Sequence, residues 1–172
     1  MQTLLCDGSR LILPDGGSIP CSMGRGGLVP AAKKREGDGA TPIGRWRLTH
    51  GFYRPDRVDR PDCALPLTAL DPQSGWCDDP ADPAYNRFVT RPYGASHEVM
   101  WRADGLYDLL FVTDHNADPV VPGMGSAIFL HCRHPDGNPT AGCIAVARDA
   151  LVALARQFEE ETVLEIRERP AG

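Results

Sequence analysis

The sequence predicts a mainly β fold, a sandwich or a partly open barrel, with one late α-helix and long loops. Many short apolar runs alternate with turn residues along the chain. Glycine and proline are abundant, with 18 and 16 residues respectively, which is typical of short strands joined by turns. Only residues 148–158 have the apolar spacing of an amphipathic helix. Many strands and a single helix together indicate the mainly β class.

The first part of the chain is predicted to contain four strands. Turn residues at Asp7-Gly8-Ser9 and Asp15-Gly16-Gly17 separate the first three strands. Residues 28–42 carry charges and glycines and therefore predict a loop. The alternating segment that follows predicts the next strand. The four predicted strands are residues 2–6, 10–13, 19–23 and 44–50.

The second part begins with a long proline-rich segment, residues 55–93, which predicts an irregular region that its aromatic residues indicate is ordered. The predicted helix 148–158 places Leu151, Leu154, Ala155 and Phe158 at positions i, i+3, i+4 and i+7 of one face. The remaining predicted strands are a short one at 98–102, the clearest buried strand at 106–114, another at 127–132 and a last one at 162–167.

Size and charge limit the classes of function. The chain has 172 residues, 42% of them hydrophobic, and a formal net charge of −5, which fits one domain spanning residues 1–172. Its basic run Lys33-Lys34-Arg35 is followed by acidic residues, so nucleic acid is not an expected partner. No apolar stretch is long enough to span a membrane, and no signal peptide is visible. We expect no membrane insertion and a monomer.

A Gly-Cys pair follows a histidine by twelve residues and carries the strongest chemical signal. His131 ends the predicted strand 127–132, and Gly142-Cys143 opens another apolar run. A histidine close to a cysteine can take the thiol proton and return it to a leaving amine. The N–H groups of Gly142 and Cys143, with Ala141 as a further donor, are expected to hold an oxyanion. The imidazole and these dipoles are expected to lower the pKa of Cys143.

Alternatives remain beside this assignment. His134 competes with His131 as the base, but it lies in a loop, where a side chain is held less firmly than at a strand end. Cys143 can instead be a buried structural thiol. Zinc binding by the four Cys and His residues of segment 131–143 fits no common spacing of zinc ligands. We therefore expect neither a metal nor a cofactor.

The six cysteines also permit disulfides in an oxidising compartment. Cys63 and Cys77 lie in a loop-rich region and are the most plausible pair. The alternative is that both are free thiols that pack as small apolar side chains.

Two segments of the chain match one known catalytic domain. His131 is followed by a loop and by Thr140-Ala141-Gly142-Cys143-Ile144, and residues 41–46 read Thr-Pro-Ile-Gly-Arg-Trp. These segments resemble the motifs of the L,D-transpeptidase (YkuD-like) catalytic domain of bacterial cell-wall enzymes. The resemblance covers roughly residues 20–168. It implies a YkuD-like β-sandwich or partly open barrel, with Cys143 as nucleophile and His131 as base.

The chain departs from the family pattern at three places. Ala141 stands where the family has histidine, Ala145 stands where it has arginine, and the loop between His131 and Cys143 is short. These departures indicate a divergent Gram-negative subgroup. Arg148, at the start of the predicted helix, can replace the missing arginine and bind a substrate carboxylate, or it can be a solvated first-turn residue.

Substrate contacts are expected from Arg148 and His134, and from His115 and Asn116 at the end of a neighbouring strand. The resemblance implies that a backbone carbonyl orients His131, with Asp114 and His115 as side-chain alternatives. Further residues that can line the cleft are Ser96, His97, Glu98, Trp101 and Tyr107.

The resemblance implies a cysteine-dependent peptidoglycan L,D-transpeptidase of the periplasm or cell envelope, with a role in wall crosslinking and cell shape. Cys143 would attack the diaminopimelate carbonyl of a stem tetrapeptide, and D-Ala would leave. An acceptor amine, from a diaminopimelate side chain or from L-Ala, would then take the acyl group. Carbapenems are expected to acylate the same cysteine. The alternatives are an L,D-carboxypeptidase or endopeptidase acting on muropeptides, and a non-catalytic wall-binding module.

Overall fold

Short strands dominate the fold, and the computed structural model describes residues 2–169. In that range the first strands are β1 (Thr3–Cys6), β2 (Arg10–Ile12), β3 (Ser18–Ser22), β4 (Leu28–Pro30), β5 (Thr41–Tyr53), β6 (Leu67–Ala69) and β7 (Ser74–Cys77). The later strands are β8 (Phe88–Thr90), β9 (His97–Val99), β10 (Leu109–Thr113), β11 (Phe129–Cys132), β12 (Ile144–Val146) and β13 (Val163–Ile166). The helix α1 is Arg148–Ala155, and a 3-10 turn spans Ala31–Lys33.

Strands from both ends of the chain close into a barrel. The order is β10-β11-β12-β3-β2-β1-β13-β5, and β10 also pairs with β5, which closes the ring. Strand β5 is 13 residues long, and its first part pairs with β13 while its last part pairs with β10. Strands β4 and β6 flank β5. The predicted mainly β fold with barrel closure is confirmed.

The helix covers one side of the barrel and completes its main core. It packs against β10 and β11, and Leu151 on its inner face is fully buried. The helix ends at Ala155, three residues before the predicted end. Phe158 still reaches the core, where its ring meets Phe111 edge-on at 4.9 Å between centroids. The apolar spacing therefore identified the buried face correctly and overestimated the helix length.

A second, three-stranded sheet is formed by strands β8, β7 and β9. Strand β9 overlaps the strand predicted at 98–102, whereas β4, β6, β7 and β8 fall in segments predicted as loops or as irregular. These strands have three or four residues each, too few to show an alternating pattern. All four residues of β7 are buried, so alternation is absent there. Trp76 of β7 packs edge-on against Phe129 of the barrel, with centroids 5.0 Å apart.

All six cysteines are free thiols. The Cys63–Cys77 pairing is therefore wrong, because Cys63 packs at the edge of the main barrel core while Cys77 is buried in β7 of the small sheet. The sulfurs of Cys6 and Cys21 do approach each other, at 3.6 Å, across the barrel strands β1 and β3.

Candidate active site

The parallel pairing of β11 with β12 brings the Gly-Cys pair next to the histidine strand. Leu130 lies opposite Ile144, and His131 lies opposite Ala145. Cys143 directly precedes β12, and the backbone N–H of Phe129 donates to its Sγ at 3.4 Å. Residues 129 and 131 point to the same face of β11 because side chains alternate along a strand. Cys143 and His131 line the same cavity, whose volume is about 440 Å³.

His131 is held in a defined orientation by the backbone. Its Nδ1–H donates to the carbonyl of Cys132 at 2.8 Å, since a carbonyl can only accept. The ring also meets Tyr107 edge-on, with centroids 5.4 Å apart. Burial lowers the pKa of His131 to about 4, and the Arg102 guanidinium adds to this effect, while the Cys132 carbonyl opposes it. The imidazole is therefore neutral at pH 7, with Nε2 as its proton-accepting atom.

Cys143 is buried, and its thiol is neutral in this state. The S–H donates to the carbonyl of Ala127 at 2.9 Å. Burial, and after it the Glu98 carboxylate, raise the pKa of Cys143 to about 12, while the N–H of Phe129 opposes the shift. The expected lowering of this pKa is thus wrong, because the burial of the thiol outweighs the dipoles that the sequence suggested.

The two motif segments meet through a buried hydroxyl group. Thr41, which is fully buried, donates from Oγ1 to the carbonyl of Gly142 at 2.8 Å and accepts from the N–H of Gly24 at 2.9 Å. A second threonine, Thr140, donates to the carbonyl of Cys143 at 2.6 Å. It also accepts the N–H of Gly142 at 3.1 Å. This N–H, predicted for the oxyanion hole, is therefore already engaged.

The contacts of Trp46 show why the segment 41–46 combines a glycine with an aromatic residue. Its Nε1–H donates to the carbonyl of Pro42 at 3.0 Å, so the ring folds back over the segment. A Cβ at Gly44 would lie 2.5 Å from the indole ring. Only glycine leaves room for this closure, and the segment in turn holds Thr41 under the Gly-Cys pair.

Replacing Gly142 by Ala is expected to destabilise the protein by about 1–3 kcal/mol. Gly142 has φ +139°, and an added Cβ would lie 2.9 Å from the carbonyl oxygen of Ala40. For a chain of this size the melting temperature should fall by about 2–4 °C per kcal/mol. The control is Gly94→Ala, since a Cβ at Gly94 meets no atom within 4 Å. Equal melting temperatures for the two variants would contradict the strain at Gly142.

Of the four residues expected to contact substrate, His134 alone lines this cavity. Arg148 lines a neighbouring cleft, which His134 also borders, and pairs with Asp108 at 3.2 Å. His115 is buried against Trp46, and its Nε2 lies 3.2 Å from the Met124 carbonyl.

Asn116 and Asp114, which also follow β10, form hydrogen bonds with backbone groups near them. The Asn116 amide donates to the carbonyls of Val121 and Gly125. Asp114 accepts from the N–H of Arg47 at 2.8 Å, so it does not orient His131. The reason is topological, because β10 runs antiparallel to β11. The end of β10 therefore lies beside the start of β11, whereas His131 lies near its end.

Charged groups that sequence reasoning did not assign also line the cavity. They are the cations Arg25, Lys34 and Arg102 and the carboxylates Glu36 and Asp78, beside the suggested cleft residues Glu98 and Tyr107. Lys34 is buried and forms an ion pair with Asp38, so the cation is held by the segment that precedes Thr41.

Two further properties bear on the class of protein. No group of three or more His, Cys, Asp or Glu side chains within residues 2–169 is arranged to hold a metal ion. The same range contains no helix long and apolar enough to cross a membrane.

Comparisons with known proteins point to one family. A sequence model of the L,D-transpeptidase catalytic domain (YkuD) matches residues 5–166. The fold is similar to that of the helical cell shape determining protein Pgp2 from Campylobacter jejuni, with a TM-score of 0.52 and 18% identity over 98% of this chain and 48% of that one. The structure of a mutant of the same protein gives a TM-score of 0.52 and 17% identity, over 99% of this chain and 48% of that one. The chain thus spans about half the length of these structures, and no curated protein matches it.

Proposed function

Because the chain belongs to the L,D-transpeptidase catalytic-domain family, we propose that it is a peptidoglycan L,D-transpeptidase with Cys143 as nucleophile. The observation that carries the proposal is the shared cavity of Cys143 and His131, in which the Cys132 carbonyl orients the imidazole. The domain comprises residues 1–172 and acts in the cell envelope, where its substrate lies.

The first half-reaction forms an acyl-enzyme. The thiol turns from the Ala127 carbonyl toward Nε2 of His131, which takes its proton. The sulfur then attacks the diaminopimelate carbonyl of a donor tetrapeptide. The N–H of Cys143 supports the oxyanion, since the N–H of Gly142 is bound to Thr140. Collapse of the tetrahedral intermediate breaks the peptide bond, and His131 returns the proton to the departing amine of D-Ala.

The donor carries carboxylates, and Arg25 is the cation best placed to receive one. Arg25 is exposed and lines the cavity, whereas Arg148 lies in another cleft and pairs with Asp108. Arg25 therefore takes the place of the arginine that the family has at position 145, through an element distant in the chain. His134, half-buried at the cavity rim, is a second donor contact.

The second half-reaction transfers the acyl group to an acceptor amine, from a diaminopimelate side chain or from an L-Ala amine. The test is to incubate the protein with disaccharide-tetrapeptide, with and without muropeptides bearing free L-Ala amines, and to follow products by mass spectrometry. Released D-Ala and new dimers are expected, and fragmentation identifies the acceptor amine. Trimmed monomers alone would assign a carboxypeptidase, and an unchanged substrate would favour a wall-binding module.

A further inference from the structure

Glu98 is a charged group in the cavity that the proposed acylation step does not use. It belongs to β9 of the small sheet and lines the cavity together with Cys143 and His131. The hydroxyl of Tyr107 donates to Glu98 Oε2 at 2.6 Å, and the Tyr107 ring packs against His131. Glu98 is thereby linked through one side chain to the base of the active site.

The position of Glu98 opposes activation of the nucleophile. A carboxylate beside a thiol disfavours the thiolate, and Glu98 follows burial as the second cause that raises the pKa of Cys143. Burial likewise raises the pKa of Glu98 itself, although the Tyr107 hydroxyl opposes that shift. A group that hinders formation of the acyl-enzyme is best explained by a contribution to the other half of the reaction.

The wall around Glu98 is rich in hydrogen-bond acceptors. Asp78 lines the same cavity, and its Oδ1 is buried with no hydrogen-bond partner among residues 2–169. Glu36, in contrast, already accepts from the hydroxyls of Tyr85 and Ser126. The neighbouring cations are also occupied, because Lys34 pairs with Asp38 and Arg102 with Asp104.

These features select the class of ligand. A buried acceptor without a donor, next to a carboxylate with one donor, leaves a place for a group that carries several N–H donors and a positive charge. A primary ammonium group has three such donors, and the described side chains do not form a metal site.

We propose that Glu98 receives the amine of the acceptor strand and accepts its first proton, with Asp78 as a second hydrogen-bond acceptor. This inference rests on the proposed transpeptidase function and assigns its second half-reaction to named residues. It also orients the substrates. The carboxylate-bearing donor lies toward Arg25, and the amine enters from the wall formed by the small sheet.

Protons and electrons balance in this scheme. The acceptor arrives as an ammonium ion and gives one proton to Glu98, which becomes a carboxylic acid. The amine lone pair attacks the thioester carbonyl, and His131 takes the second N–H proton. Collapse of the tetrahedral intermediate breaks the C–S bond and releases the Cys143 thiolate, to which His131 returns its proton. Glu98 loses its proton to water as the crosslinked product leaves.

The deciding experiment separates the two half-reactions in Glu98→Gln. The amide keeps an oxygen that can accept from Tyr107 but removes the charge. Acyl-enzyme formation, read by intact mass with donor alone, should be as fast as in wild type or faster. Iodoacetamide should label Cys143 faster, because the opposing charge is gone. The acceptor concentration for half-maximal dimer formation should rise roughly 10- to 100-fold, and hydrolysis of the acyl-enzyme should increase at the expense of dimers.

Two further variants test whether the effect of Glu98→Gln comes from a disturbed fold or from the general loss of a negative charge in the cavity. Glu98→Asp retains the carboxylate and should recover part of the acceptor use. Glu36→Gln removes a charge from the same wall, where Oε2 of the carboxylate already accepts from two hydroxyls, and it should change acceptor use much less. An equal effect of Glu36→Gln, or slower acylation in Glu98→Gln with unchanged partition between dimer and hydrolysis, would overturn the assignment. Absence of any acyl-enzyme in wild type would instead refute the transpeptidase function on which it rests.

Discussion

Replacing Cys143 by Ala is expected to lower dimer formation and D-Ala release by about 10⁴-fold or more, because the covalent route is lost. The same substitution should abolish the mass adduct of a carbapenem, which needs a thiol to acylate. Among the described residues that line the cavity, Cys143 alone carries a sulfur atom, so none of the others can substitute for it as a thiol nucleophile. Product mass spectrometry and intact mass measure the two effects on the same samples.

The matched control for this substitution is Cys63→Ala. Cys63 is a half-buried free thiol that packs at the edge of the barrel core and is not among the residues that line the cavity. This variant should retain both turnover and the carbapenem adduct. Residual crosslinking in Cys143→Ala within about tenfold of wild type would require another nucleophile. Full muropeptide binding without turnover in wild type would instead support a binding module.

Most strands of the barrel were predicted from the sequence, and short strands such as β1 and β2 were among them. Strand β10, with five buried residues, and the helix face of Leu151 were both evident in the sequence. The family, too, was predicted correctly from two short motifs. Their physical basis is now visible in Thr41, which ties the Gly142 carbonyl to the segment 41–46. The Thr41 hydroxyl makes two hydrogen bonds, one from the N–H of Gly24 and one to the carbonyl of Gly142, so it joins the two motifs.

The small sheet was predicted only in part, and this limited the prediction of the site. Strand β9 overlaps the strand predicted at 98–102. Strand β7 is buried on both faces and does not alternate, and its position depends on contacts with the barrel, such as that of Trp76 with Phe129. Glu98 belongs to β9, and Asp78 directly follows β7. Glu98 was named only as one of several possible cleft residues, and Asp78 was missed. The spacing of residue types along the chain does not reveal that the small sheet lies beside Cys143.

Whether a substrate contact suggested from the sequence lies at the cavity depends on the direction of the strand that precedes it. His134 follows β11 and remains near the cavity, whereas His115 and Asn116 follow β10, which is antiparallel to β11. Arg148 begins the helix on the side of the barrel occupied by the second cleft. Sequence distance from Cys143 favoured Arg148, but the fold brings Arg25, more than a hundred residues away, to the same cavity.

The reactivity of Cys143 should depend steeply on pH. Burial raises the pKa of this thiol to about 12 and lowers that of His131 to about 4, so both are neutral between these values. Below a thiol pKa the thiolate fraction rises about tenfold per pH unit. The rate of iodoacetamide labelling at Cys143 should therefore increase about 10³-fold from pH 7 to pH 10. Peptide mass spectrometry with Cys63→Ala as background isolates the site.

The histidine variant separates this neutral pair from a preformed thiolate–imidazolium pair. In a preformed pair, labelling would reach a plateau near neutral pH, and His131→Asn would remove that plateau because the imidazolium stabilises the thiolate. In the cavity described here, His131→Asn should keep the same slope, since a neutral imidazole adds no charge to stabilise the thiolate. A plateau in wild type that disappears in the variant would show that the ion pair forms before substrate binds. The expected result assigns formation of the thiolate to the substrate-bound state, in which the thiol has turned from Ala127 to His131.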